Sequence, residues 1–198
     1  MKEAIRRKRV QDSGESMTAL KTPAVGGDGQ VRYGEQLRAT LTSMHLWFRF
    51  IEFDEPVKTV AQAAGKVQAE KIAKSIVMID SNGDPLLAIV PALSMVSHRK
   101  LKALLNVRDV RLANAREVLQ HSGYPVGGVP PFNKIKRILL DQRVLQDEIA
   151  VVGGGDINKL LEIRTKDIVT ALNPEVADIS KNPPPEPQLG RLRSDSAA

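Results

Sequence analysis

The chain has 198 residues, 42% hydrophobic and 26% charged, enough for one ordinary core with extensions but hardly for two full domains. It contains no cysteine, which excludes disulfides, thiolate nucleophiles and thiolate metal sites, and its imidazoles are His45, His98 and His121. The net charge of +6 fits a polyanionic partner, no apolar run reaches the ~20 residues of a bilayer span, and the first residues lead into polar sequence rather than a signal-peptide core, so a cytoplasmic protein without membrane contact is expected.

Residues 1–33 mix a basic run (Lys2, Arg6, Arg7, Lys8, Arg9) with glycine and serine and lack apolar periodicity. They read as a flexible basic leader, a solvated end or a tether for an RNA backbone. Leu37, Leu41, Met44, Phe48 and Ile51 then recur at alternating four- and three-residue spacings, which predicts a helix over 34–53. Thr59 and Gln62 stand at capping-box spacing before a short helix through Ala63 and Ala64. Ile72–Ile79 and Leu86–Val90 flank Asn82-Gly83 and predict a β-hairpin. Ser97 is placed to cap a helix carrying Leu101, Leu104 and Leu105; Asn114 and Glu117 repeat the capping-box pattern, with Gly123 ending that helix. Strand-like runs follow at 138–140, 149–152 and 160–163, then a helix capped by Thr165 and a closing strand over 176–179. From Lys181 the proline-rich sequence reads as a flexible tail, leaving 34–180 as the folding unit.

Familiar catalytic patterns are absent. The three histidines are scattered without metal-ligand spacing, Gly153-Gly154-Gly155 lacks a phosphate-loop context, and no Gly-x-Ser-x-Gly occurs, so neither a metal nor a cofactor is expected. Two features stand out. Gly127-Gly128-Val129-Pro130-Pro131-Phe132-Asn133 combines glycines that permit close backbone approach with prolines that stiffen the loop, so the N–H groups of Gly127, Gly128 or Val129 could face a developing oxyanion; many such stretches are merely turns. Lys74 stands inside an apolar strand on the face of Ile72, Ile76 and Met78, where its ammonium either snorkels to water or meets an anion at a cleft. Asp156, after three glycines, is a turn carboxylate or a site carboxylate.

Four segments in order, Thr59–Ala64, Ile72–Val77, Arg111–Ala113 and Ser122–Phe132, resemble the YbaK-type aminoacyl-tRNA deacylase family, which includes the editing insertion of bacterial prolyl-tRNA synthetases. The similarity runs from about Glu55 to Ala171. It implies an α+β single domain with a mixed, strongly curved β-sheet flanked by short helices. It also implies trans-acting hydrolysis of the ester of mischarged aminoacyl-tRNA, a small amino acid on the tRNA for proline or a related tRNA. The family's recurring lysine falls on Lys74 and its Gly-x-x-x-Pro loop on Gly127–Pro131; the glycine expected two residues beyond that proline is Asn133 here.

On this reading Lys74, Gly127 and Gly128 are catalytic, and Val129, Pro130, Pro131, Phe132, Gly154, Gly155 and Asp156 bind substrate, Asp156 meeting the free α-amino group. Lys74 orients the terminal phosphate or ribose of the tRNA acceptor end, and the substrate's own ribose hydroxyl helps activate the water. An aminoacyl-tRNA synthetase is a further candidate partner. Two alternatives stand beside this: a non-catalytic tRNA- or synthetase-binding module of the same fold, and an esterase for small molecules.

Overall fold

The computed structural model describes residues 24–25, 31–57, 59–63 and 65–182; the basic leader and the proline-rich tail lie almost wholly outside them. In chain order the elements are β1 (Ala24–Val25), β2 (Val31–Arg32), α1 (Tyr33–Ser43), β3 (Phe48–Glu52), α2 (Val60–Ala63), β4 (Ala73–Asp80), β5 (Pro85–Pro91), β6 (Met95–Val96), α3 (His98–Leu105), β7 (Val110–Leu112) and α4 (Ala115–Ser122), followed by β8 (Arg137–Asp141), β9 (Ile149–Gly153), β10 (Lys159–Arg164), α5 (Thr165–Leu172), β11 (Glu175–Ala177) and β12 (Ser180–Lys181).

The organising unit is the β4–β5 hairpin. Asp80 closes it: its Oδ1 accepts the N–H of Asn82 (2.8 Å) and of Asp84 (3.0 Å), while Gly83 takes the positive φ that this turn requires. Around the hairpin a five-stranded mixed sheet runs in the order β11-β8-β5-β4-β7, with β8 parallel to both β5 and β11 and the β4 pairings antiparallel. A three-stranded antiparallel sheet, β3-β10-β9, packs beside it, joined by a parallel bridge between Ile72 and Val151. Strand alternation divides the core. Ala73, Val77, Leu87, Ile89 and Leu140 face α1 and the three-stranded sheet; Met78, Leu86, Ala88, Val90 and Leu139 face α3 through Leu101 and Leu105. The α+β class and the mixed sheet agree with expectation.

Several local signals behave as read. Thr59 and Gln62 exchange both capping-box bonds, as do Asn114 and Glu117, and Gly123 ends α4 at φ +82. Ser97 caps α3 by accepting from the N–H of Lys100.

The helix expected over 34–53 is corrected. It stops at Ser43; His45 takes φ +55, and Phe48–Glu52 becomes a strand paired residue for residue with β10 from Glu52–Lys159 to Phe48–Ile163. Its apolar spacing suits Leu37 and Leu41 on a helix, but beyond Met44 the gain from strand pairing and from the Arg49–Glu162 ion pair prevails. Thr165 does not cap α5 either: it is the first helical residue, and its hydroxyl donates to the carbonyls of Asp147 and Glu148.

Candidate functional site

Lys74 enters the site from β4, paired with Val90. It is half-buried, and burial pushes its ammonium below the usual lysine range; no carboxylate among the described residues offsets that cost. Beside it, the Ser75 hydroxyl is sealed from solvent without a hydrogen-bond partner among the described residues. An uncompensated ammonium and an unsatisfied hydroxyl in adjacent positions are what a polar ligand would relieve.

The second wall is the loop after α4. Gly128 N–H donates to the Pro125 carbonyl (3.0 Å), and Gly127 at φ +90 occupies the third position of this turn, where a side chain would be strained. The Gly128 donor is therefore occupied, whereas the N–H groups of Gly127 and Val129 donate to nothing among the described residues. The loop is held from behind. Gly155 N–H donates to the Gly128 carbonyl (2.8 Å), and a Cβ on Gly128 would lie 2.2 Å from the Gly155 oxygen. Asn133, buried, donates from Nδ2 to the Pro130 (2.8 Å) and Pro131 (3.3 Å) carbonyls and accepts the Ile135 N–H (2.8 Å).

Between these walls lies a hollow of about 190 Å³. Lys74, Ser75 and Thr59 are its polar contributors; Gly127, Val129 and Gly153 form one side, and Val57, Ala63, Ile72, Ala73, Ala92 and Leu160 the apolar remainder. Lys74 and Gly127 thus share one cavity. Among the described residues no imidazole or carboxylate lines it, and no group of three or more potential metal ligands occurs.

The other expected site residues lie elsewhere. Gly128, Pro130, Pro131 and Phe132 are buried behind the wall, and Gly154 and Gly155 form the tight turn that supports it. Asp156 is committed to α1: its Oδ1 accepts the Tyr33 N–H (3.0 Å), its Oδ2 the Gly34 N–H (3.2 Å), and Lys159 Nζ stands 3.4 Å away. Sequence reasoning missed Ser75 and Gly153 as lining residues. Strand alternation puts Ser75 and Lys74 on opposite faces of β4, yet both line the hollow near the start of that strand.

A family model described as "Aminoacyl-tRNA editing domain" matches residues 54–171, more than half of the chain. The chain belongs to the aminoacyl-tRNA editing domain family. Every residue lining the hollow falls within the matched segment. The proline–tRNA ligase of Thermosipho africanus (strain TCF52B) is 36% identical over 101 residues, covering 50% of this chain and 18% of the ligase, so the chain spans less than a fifth of that relative. Among solved structures, hypothetical protein APE2540 is 32% identical with TM-score 0.67, covering 73% of this chain and 99% of that one. A candidate trans-editing enzyme for prolyl tRNA synthetase is 23% identical with TM-score 0.67, covering 77% and 99%, and shares the fold of this editing domain. No helix among the described residues is long and apolar enough to cross a membrane.

Proposed function

We propose that this protein hydrolyses the ester linking a small, wrongly attached amino acid to the acceptor end of a tRNA, the tRNA for proline or a related one, acting in trans. The observation that carries the reading is the shared cavity, lined both by Lys74, half-buried without a carboxylate partner among the described residues, and by Gly127 and Val129, whose N–H groups donate to nothing among the described residues. Family membership supplies the substrate class.

The aminoacyl group enters the small apolar hollow, where about 190 Å³ suits a short side chain. Gly127 and Val129 N–H groups receive the carbonyl oxygen as it gains charge, each such donor lowering the barrier by about 3 kcal/mol. Lys74 holds the phosphate or ribose at the cavity edge as a point positive charge. Ser75 offers its hydroxyl to the α-amino group or the ribose. Water attacks the ester carbon, the ester oxygen leaves on the ribose, and no imidazole or carboxylate among the described residues lines the hollow to take the proton. The substrate's neighbouring ribose hydroxyl fills that role, as resemblance to the deacylases implies.

The test is a time course of ester loss from a panel of mischarged tRNAs with wild type, Lys74→Ala and Gly127→Ala. Strong loss of rate in both variants is expected. Undiminished hydrolysis in both refutes the assignment, and binding of tRNA with no turnover on any aminoacyl ester favours a non-catalytic binding module.

A further inference from the structure

We infer that a second hollow, on the other side of Lys74, holds the unpaired nucleotides that precede the esterified one; this rests on the deacylase reading above. The hollow measures about 490 Å³, more than twice the first, and Lys74 lines both. Its wall combines the first turn of α3 with the small β6–β12 sheet, bringing Arg99 and Lys181, far apart in sequence, to one side with His98.

The charge is one-sided. Among the described residues no carboxylate lines the hollow; Lys100 is neutralised by Asp178 at 2.6 Å, but Arg99 and Lys181 are exposed without an ion-pair partner among those residues. Three uncompensated cations, Lys74 included, around one concavity attract a polyanion. The same hollow exposes apolar surface, with Met95 at 45% and Leu112 at 59% accessibility. Cations beside exposed apolar side chains suit nucleotides, which present phosphates and apolar base faces together. The connection through Lys74 sets the path: phosphates in the basic hollow, ester at the boundary, amino acid in the apolar hollow.

The experiment measures binding of uncharged tRNA for proline by fluorescence anisotropy over a salt series, with wild type, the double variant Arg99→Ala/Lys181→Ala, and Lys166→Ala on α5 as a control outside the hollow. The double variant should bind roughly 10-fold more weakly, and its salt slope should be shallower by about 0.7 per lost phosphate contact; Lys166→Ala should match wild type. Hydrolysis supplies a second readout. The double variant should raise KM for mischarged tRNA with little change in kcat, and leave hydrolysis of an aminoacyl ester of adenosine, which has no preceding phosphates, unaltered. Unchanged affinity and slope, or an equal loss in Lys166→Ala, overturns the inference, as does loss of polyglutamate binding with tRNA binding intact. Weakened tRNA binding in the double variant, with no hydrolysis by wild type, removes the deacylase reading and leaves the nucleotide site standing. Hydrolysis with an unaltered KM does the reverse.

Discussion

Lys74→Met separates a residue kept for function from one kept for folding. The ammonium is half-buried without a counter-ion among the described residues, and burial depresses its pKa, so the folded state disfavours the charge at neutral pH. That penalty is present in full below the lowered folded value and fades as pH rises toward the unfolded value of about 10.4. Replacing the side chain with methionine keeps most of its stem and removes the penalty, so the variant should melt at or above the wild-type temperature at pH 7. Activity should move the other way. A charge-assisted contact to phosphate contributes about 1.5–3 kcal/mol, which converts to roughly 10- to 100-fold in kcat/KM. The bare Coulomb figure of about 4 kcal/mol at 4 Å and an effective dielectric of 20 is a ceiling. Thermal melts and deacylation rates on one preparation measure both sides. A Lys74→Met protein that is less stable and fully active would refute the argument, because the ammonium would then hold the fold together rather than orient substrate.

Gly128→Ala should destabilise by about 1–3 kcal/mol, since the new methyl meets backbone at 2.2 Å, and should exceed the cost of Gly127→Ala, whose Cβ would meet nothing nearer than 4.0 Å and bear only its positive φ; urea denaturation ranks the two. Asp156→Ala should cost about 1–2 kcal/mol through loss of the α1 cap, while KM for mischarged tRNA stays within about twofold; a large KM change with stability intact would return Asp156 to the pocket. Asn133→Gly removes three hydrogen bonds behind the loop, and should cost about 2–3 kcal/mol in denaturant and lower kcat more than it raises KM. Burial acts to raise the Asp141 pKa, but hydrogen bonds from Ser180, Arg143 and Ile179 outweigh it and hold the carboxyl below the usual aspartate range. Its stabilisation is therefore complete above about pH 3.9 and lost as pH falls through the folded value, so wild-type melting temperature should drop more steeply in acid than that of Asp141→Asn.

What was legible in the sequence is what residues within a few positions of each other decide. The Asn114–Glu117 box, the Thr59–Gln62 box and the Asn82-Gly83 turn are closed by their own side chains, so their letters carry the geometry. Phe48–Glu52 is different. Its state is set by Lys159–Ile163, more than a hundred residues away, and a spacing of threes and fours does not announce a strand. The site divides in the same way. Lys74 and Gly127, which line one cavity, stand out in the letters because a lysine in an apolar strand and a glycine pair before prolines are locally odd. The hydrogen bonds of Asp156 to the N–H groups of Tyr33 and Gly34 are not legible in the letters, because these partners lie 123 and 122 positions earlier. Ser75 was missed because nothing in the letters reveals that its hydroxyl is left without a partner.

The absence of an imidazole or carboxylate from the hollow's lining, among the described residues, bears on how such a site discriminates. On the deacylase reading, catalysis then depends on where the backbone N–H groups of Gly127 and Val129 stand, and the loop that carries them is held by close backbone contacts: Gly128 on Gly155, and Gly153 on Val129, where a Cβ would lie 2.4 Å from the Val129 oxygen. The same contacts fix the size of the cavity. On the deacylase reading, an outward shift of this wall would enlarge the hollow and displace the proposed oxyanion donors together, which ties hydrolysis to side-chain size along this side of the cavity. Asn133 reinforces this by gripping two loop carbonyls where the family pattern has a glycine, which holds the wall in place from the buried side.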